Sequence, residues 1–195
     1  MTRVIDRGAR TAAFVGVGVA ITMAISFLLV VPIEPVYVLL SIPAGMVLGY
    51  YANARSARRR GEWRRILPNG FVAGALTGLT LAALLLGTKA LFFFGDSGYP
   101  DFNRVDQDGM ITGPTCRAGA DCVYRRYLAA DPEELAAAGV TDAESFAALY
   151  WDQQWSTARL LLLSTTGAAV FGAVLFGIAG PRQARLAPRT VPVTS

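Results

Sequence analysis

Four long apolar runs dominate the pattern of hydrophobic and polar positions along this chain. They cover residues 11–31, 35–52, 70–88 and 160–180, are 18 to 21 residues long, and contain no Asp, Glu or Arg. An α-helix needs about 20 apolar residues to cross roughly 30 Å of hydrocarbon. The pattern therefore predicts an all-α membrane protein, built as a bundle of four transmembrane helices.

The polar segments between the runs predict the order of parts along the chain. The first run is too long for the apolar core of a typical secretion signal, so we interpret it as a membrane span. The expected parts are a cytoplasmic N-terminus at 1–10, a first transmembrane helix (TM1) at 11–31, an outer turn at 32–34, TM2 at 35–52, a basic cytoplasmic loop at 53–69, TM3 at 70–94, an acidic extracytoplasmic segment at 95–156, TM4 at 157–180 and a cytoplasmic tail at 181–195.

The charges of these polar segments predict the orientation. The N-terminus, the TM2–TM3 loop and the C-terminal tail together contain twelve Arg against Asp6 and Glu62, whereas residues 95–156 contain eleven acidic residues against four Arg. Loops rich in Arg and Lys stay in the cytoplasm. We therefore expect an N-in/C-in protein of the cell (plasma) membrane, with the acidic segment of about 62 residues outside.

The only two cysteines, Cys116 and Cys122, lie in this acidic segment. An extracytoplasmic location is oxidising, and paired cysteines there normally form a disulfide. In the chain-entropy model so short a loop contributes roughly 2 kcal/mol. A redox role would need a CxxC pair or a second cysteine pair, and the chain has neither. We therefore expect a structural disulfide that staples the extracytoplasmic segment.

The chain contains no histidine. This excludes histidine-ligated haem, histidine general bases and Ser-His-Asp triads, and it leaves the two cysteines without further zinc ligands. The stretch DQDG at 106–109 has part of the pattern of a calcium loop, but Arg104 and Thr115 stand where ligands belong. We expect no cofactor, no metal site and no catalytic residue, and a divalent cation on the outer segment is the weaker alternative.

Lys89, the only lysine, follows the third apolar run. Its long stem can carry the ammonium group to the outer headgroups, and this is the favoured interpretation. The alternative is an intramembrane polar site in which Lys89 pairs with Glu34 or Asp96.

An aromatic stripe precedes TM4 and contains Phe146, Tyr150, Trp151 and Trp155. Trp and Tyr are enriched where a helix crosses the membrane interface, which is the favoured interpretation. The alternative is a contact surface for a partner protein, because Trp and Tyr supply much of the energy of interfaces. The aromatic residues that follow TM3 are expected to meet this stripe.

Helix-capping signals divide the second half of the acidic segment. Asp131, Pro132 and Gly139 predict a short helix with an N-cap, a first-turn proline and a C-terminal stop. Thr141 and Glu144 match a capping box that opens a second helix, which is expected to continue into TM4.

Small residues recur at every fourth position of each span, and such rows allow membrane helices to approach closely. The rows predict a compact bundle, although they could equally face partner proteins. They are Ala12, Gly16, Ala20 and Ala24; Ser41, Gly45 and Gly49; Gly70, Gly74, Gly78 and Ala82; and Thr165, Ala169, Ala173 and Gly177.

The basic loop at 53–69 contains six Arg and one Trp. In a short loop between two spans this charge sets orientation and contacts anionic headgroups, so we expect a lipid surface there and no nucleic acid.

Three functions agree with these features. The favoured one is a structural or accessory subunit of a larger membrane complex with membrane-protein partners. The first alternative is a small transporter or permease component, for which the spans offer mainly hydroxyl groups that usually bond to their own helix. The second is a membrane-embedded enzyme that uses outer carboxylates such as Asp101, Asp106 and Asp108. The composition, rich in Arg and Ala with a single Lys, suggests a bacterial source.

Overall fold

A computed structural model describes residues 7–29, 34–56, 58–95, 116 and 119–182. These ranges form helices joined by short turns and contain no strand, which confirms the expected all-helical class. The helices are α1 (Arg7–Leu29), α2 (Glu34–Arg55), α3 (Trp63–Gly95), α4 (Ala120–Ala130), α5 (Pro132–Ala137) and α6 (Ala143–Ala179).

Four of the helices are long and apolar enough to cross a membrane. Their candidate spans are Arg7–Ser26, Val36–Arg55, Trp63–Gly95 and Ala143–Ala179. Length and composition together therefore agree with a multi-pass membrane protein. Two of these helices are much longer than the apolar runs in the sequence, since α3 has 33 residues and α6 has 37.

The two long helices begin before the apolar runs that predicted them. Helix α3 starts at Trp63 and contains Pro68 within its second turn. Helix α6 is continuous from Ala143, which confirms that the helix opened by the capping signal continues into the last span.

The chain divides into two compact units. Residues Met1–Ala82 and Arg159–Ser195 form the first, here called the bundle unit, and Ala83–Ala158 form the second, here called the aromatic unit. Helices α3 and α6 each belong partly to one unit and partly to the other, because the boundaries between the units fall within these two helices.

Small residues fill the interior of the bundle unit. Every residue of the four small-residue rows is buried except Ala24. A methyl group added to Gly49 would overlap the carbonyl of Ala169, and one added to Gly172 would overlap the carbonyl of Met46. Helices α2 and α6 therefore touch backbone to backbone, and the rows pack against one another within this chain.

Helix α3 packs against α6 and α1 in the same way. A methyl group on Gly74 would lie 2.5 Å from the Cβ of Ala169, and one on Gly78 would lie 3.1 Å from the Cα of Leu162. On the other side, Gly16 of α1 faces the hydroxyl of Thr77. Such close approach is typical of helices that associate in lipid, where burial of apolar surface gives no driving force.

The surface of the bundle unit exposes large apolar side chains, and several polar side chains lie in its interior. Phe14 is 78% exposed, whereas Ser41, Thr77 and Thr165 are fully buried. Large contiguous apolar surfaces on a protein mark contact with a membrane or a partner. The exposed apolar side chains agree with four helices that face lipid.

Two capping interactions shape the aromatic unit. The carboxylate of Asp131 accepts a hydrogen bond from the Glu134 N–H at 3.1 Å and caps α5, and Gly139 ends that turn with φ of 72°, as expected. The expected capping box of Thr141 and Glu144 is wrong by one residue, because α6 begins at Ala143.

Asp142 is the N-cap of α6. Its carboxylate accepts from the Ser145 N–H at 2.8 Å, and the Ser145 hydroxyl oxygen accepts from the Asp142 N–H at 3.2 Å. These two bonds form the reciprocal capping box, for which Asp is at least as suitable as Thr.

Candidate functional site

A cluster of large side chains forms the centre of the aromatic unit. Its buried members come from α3, α4, α5, α6 and the turn before α6, so four helices meet around it. The cluster consists of Phe93, Val123, Leu135, Val140, Phe146 and Tyr150, with Tyr124, Tyr127 and Trp151 packed against it.

The aromatic residues at the end of α3 meet the stripe on α6, as expected. The Phe93 ring lies 4.9 Å from the Tyr150 ring and 5.3 Å from the Trp151 ring, centroid to centroid. Phe94 stacks on Trp151 at 5.9 Å with an interplanar angle of 14°. Aromatic pairs at such distances add roughly 0.5–1.5 kcal/mol each beyond the area they bury.

Within the aromatic stripe, the side chains divide between interior and surface. Phe146 and Tyr150 are buried in the cluster, Trp151 is half-buried, and Trp155 is 52% exposed. A contact of the stripe with a partner stays a prediction. The exposed ring of Trp155 is the part of the stripe that is open to such a contact.

A disulfide joins Cys116 and Cys122, as expected, with their Cα atoms 5.5 Å apart. Gly119 lies between them, and its N–H donates to the carbonyl of Phe93 at 2.9 Å. Its φ of 117° is a backbone conformation that favours glycine. The bridge ties Cys116 to the first turn of α4, and the hydrogen bond ties the residue before α4 to the end of α3 beside the aromatic cluster.

Arg126 is the functional candidate that sequence reasoning missed. It lies on the buried face of α4 with Cys122 and Val123 and is only 6% exposed. Arginine is almost never buried to this extent unless its charge is matched. The helical spacing of three and four residues from Val123 and Cys122 was the available signal.

Lys89 lies on the part of α3 that belongs to the aromatic unit and is half-buried. The possible partner Asp96 and the carboxylates Asp101, Asp106 and Asp108 lie outside the described residues, as does the stretch 106–109. Among the residues that the structure describes, no group of three or more acidic or cysteine side chains could hold a metal ion. The intramembrane role of Lys89 stays a prediction.

Positive charge is concentrated at one end of the bundle unit. The start of α1 touches the end of α2, since a methyl group on Gly8 would overlap Ser56, and the α2–α3 turn touches the end of α6. The four helix ends therefore lie together. They bring together Arg7, Arg10, Arg55, Arg58, Arg59, Arg60, Arg64, Arg65 and Arg182, with Glu62 paired to Arg58 at 3.3 Å.

The turn between α2 and α3 is fixed to the end of α6. The N–H of Arg60 donates to the carbonyl of Pro181 at 3.1 Å, and the N–H of Gly61 donates to the carbonyl of Gly177 at 3.1 Å. The indole ring of Trp63 covers Gly177 so closely that a methyl group there would overlap it. The basic loop is thus part of the bundle rather than a free arm.

Two buried asparagines join α2 to α3 beneath the arginines. Asn53 Nδ2 donates to the carbonyls of Gly49 and Ile66, both at 3.1 Å. Asn69 Nδ2 donates to Asn53 Oδ1 at 3.3 Å and to the Ser56 hydroxyl oxygen at 3.4 Å. Sequence reasoning assigned both asparagines to a loop, because the arginines around them masked the helical continuation.

Several hydroxyl groups of the spans bond to their own helices, as expected. Thr22, Thr77 and Thr80 donate to the carbonyls of Gly18, Ala73 and Leu76, four residues before each, at 2.8 to 3.0 Å. Ser41 also bonds to Ser164 of α6 at 3.0 Å. These hydroxyl groups therefore satisfy their hydrogen bonds within their own helix or, for Ser41, also between α2 and α6.

A groove of about 460 Å³ runs between α1 and α2 on the surface of the bundle unit. Its walls are aliphatic apart from one tyrosine. The lining residues are Val15, Val19, Pro43, Ala44, Val47, Leu48 and Tyr51.

Comparison of the chain with protein-family models, curated proteins and solved structures gives no match.

Proposed function

We propose that the protein is a structural or accessory subunit of a larger complex in the plasma membrane of a bacterium. Its four long apolar helices and the apolar surface of the bundle unit support the membrane location.

The length of the apolar runs in α3 and α6 supports a membrane around these helices. The runs at 70–88 and 160–180 are 19 and 21 residues long. At 1.5 Å per residue each run is about 30 Å long, which is the thickness of the hydrocarbon core. Lys89 directly follows the first of these runs, so its ammonium group can reach the outer headgroups.

The charge distribution supports the N-in/C-in orientation. The nine arginines that gather at one end of the bundle unit would lie at the cytoplasmic surface, where anionic headgroups attract them. The aromatic unit and its disulfide would then lie on the oxidising side of the membrane.

The closed interior of the bundle unit is the observation that carries the accessory role. Where Gly49 meets Ala169 and Gly172 meets Met46, the backbones touch and leave no route for a solute between α2 and α6. Thr22 and Thr77, two of the threonines that could line a route, bond to their own helices instead. A solid bundle with an exposed Trp155 fits a scaffold better than a transporter.

Purification in a mild detergent tests the accessory role. We expect the tagged full chain to retain membrane-protein partners at a fixed ratio through size-exclusion chromatography. Trp155→Ala should reduce that ratio, whereas Phe171→Ala, a substitution of an equally exposed ring on the same helix, should not. A single monodisperse species without partners would contradict the proposal, and stabilisation of such a species by a small solute would favour a transporter or an enzyme.

A further inference from the structure

We propose that the groove between α1 and α2 binds an acyl chain of one anionic phospholipid, whose phosphate group contacts Arg7 and Arg55. The proposal rests on the membrane location given above but not on the accessory role. The proposal specifies one lipid site. The arginines alone would suggest only a general attraction to the anionic membrane surface.

The walls of the groove suit an acyl chain. Val19 and Ala44 pack on the buried cluster of Ala20, Met23 and Leu81, so the floor of the groove is the core of the bundle. Val47 stands at the rim and is 67% exposed. The remaining lining side chains are apolar apart from the hydroxyl of Tyr51. In hydrocarbon such a furrow is filled most simply by a lipid tail.

The two arginines stand at one end of this groove. Gly8 and Ser56 touch at the point where α1 begins and α2 ends, and Arg7 and Arg55 are their immediate neighbours in the chain. Arg55 follows the lining residue Tyr51 by four residues on the same helix, which is about 6 Å along the axis. A headgroup phosphate at the cytoplasmic surface and a tail in the groove could therefore belong to one lipid molecule.

The charge at this end is complementary to an anion. Arg7 and Arg55 are both exposed, and neither has an ion pair with a carboxylate within the described part of the chain. Glu62, the described acidic residue nearest in sequence to Arg55, is paired with Arg58. Guanidinium groups bind phosphate oxygens through paired N–H donors. An apolar partner helix would cover the groove without using these charges, so an anionic phospholipid is the occupant that accounts for both features.

Native mass spectrometry of the purified full chain tests the groove. The protein is equilibrated in detergent with phosphatidylglycerol or with phosphatidylcholine of the same acyl chains. We expect the wild type to retain one phosphatidylglycerol and little phosphatidylcholine. Val47→Trp fills the groove and should lose the bound lipid, whereas Leu39→Trp, at a position on α2 that is also 67% exposed, should retain it. Circular dichroism shows whether both variants keep their helices.

A second pair of variants tests the charges. The double substitution Arg7→Gln with Arg55→Gln should weaken binding of phosphatidylglycerol by roughly 30-fold, since an arginine near an anionic headgroup contributes about 1 kcal/mol. Arg59→Gln with Arg60→Gln changes the net charge equally at the same end and should weaken it far less.

Three results would overturn the proposal: equal retention of both lipids, unchanged retention in Val47→Trp, or equal losses in the two arginine pairs. Unchanged retention in Val47→Trp is also the result expected if a second copy or a partner helix covers the groove. Because the assay uses the isolated chain, it can succeed even if no protein partner is ever found.

Discussion

The bundle unit and the aromatic unit are both helical, but they are held together by different means. In the bundle unit the closest contacts are made by glycine and alanine, and backbones touch at Gly49 and Ala169, with the larger side chains of Ile66 and Phe176 also buried. In the aromatic unit the contacts are made by Phe93, Phe146 and Tyr150, with a disulfide alongside. In the proposed orientation this difference reflects two solvents, because lipid would surround most of the bundle unit and water most of the aromatic unit.

In lipid, apolar side chains gain nothing by leaving their surroundings, so close van der Waals contact between backbones holds the helices together. In water, removal of large apolar side chains from the solvent is the main driving force, and a unit of fewer than 80 residues also benefits from a disulfide. Changes that fill space should therefore damage the bundle unit, and changes that remove apolar volume should damage the aromatic unit.

The largest effect is expected from Gly49→Leu. The new side chain must displace the backbone of Ala169, whose Cα would lie 2.8 Å from the added Cβ. We expect a loss of about 3 kcal/mol or more in the free energy of unfolding of the bundle, measured by denaturant titration in detergent. Gly167→Leu is the control, because a Cβ at Gly167 meets nothing within 4 Å. Equal losses in the two variants would show that the backbone contact is not what holds α2 to α6.

The next largest effect is expected from Phe146→Ala. The ring is 3% exposed, and a buried Phe→Ala change costs about 3–5 kcal/mol. Hydrogen exchange should accelerate in α4 and α5 and stay unchanged in α1 and α2. Leu128→Ala on the exposed face of α4 should change stability by less than about 0.5 kcal/mol. Faster exchange in α1 as well would mean that the two units do not differ in the proposed way.

A smaller effect is expected from removal of the disulfide. Cys116→Ala with Cys122→Ala should cost the aromatic unit about 2 kcal/mol, because the loop closed by the bridge is short. Thermal unfolding followed by near-UV circular dichroism measures this loss. A reducing agent should lower the stability of the wild type to that of the double variant and leave the variant unchanged. A reducing agent that destabilised the variant would contradict this account.

The smallest effect is expected from acid. Hydrogen bonds from the Ser145 N–H and hydroxyl hold the pKa of Asp142 below its ordinary value. The charged cap therefore stabilises the first turn of α6 above the ordinary carboxyl pKa, and this stabilisation is lost as the pH falls through the lowered pKa. The protection factors of that turn, which are corrected for the intrinsic pH dependence of amide exchange, should fall with acid in the wild type. In Asp142→Asn, which keeps a capping oxygen but cannot ionise, the protection factors should lose this pH dependence.

The parts that could be predicted from the sequence depend on local chemistry. An uncharged run long enough to cross hydrocarbon, a cysteine pair six residues apart and an Asp-Pro start to a helix each act through neighbours in the chain. For this reason the four long helices, the Cys116–Cys122 bridge and the cap at Asp131 were all predictable.

The parts that could not be predicted depend on which elements meet. The small-residue rows had the same period whether they faced this chain or a partner, and only the contact of Gly49 with Ala169 decides between the two. Asn53 and Asn69 looked like loop residues because arginines surround them, although their helices extend beyond the apolar runs. The burial of Arg126 was not predicted, because burial of a single arginine leaves only the weak signal of helical spacing.

Labelling of single cysteines in intact cells tests the proposed orientation most directly. It shows whether α5 faces the outside of the cell and the basic turn faces the cytoplasm. Glu133→Cys places a thiol on exposed α5, and Arg59→Cys places one in the exposed basic turn, while the native cysteines stay bridged. We predict that a membrane-impermeant maleimide reacts with Glu133→Cys in intact cells and with Arg59→Cys only after the membrane is permeabilised. Reaction of Arg59→Cys in intact cells, or protection of Glu133→Cys there, would contradict the proposed orientation.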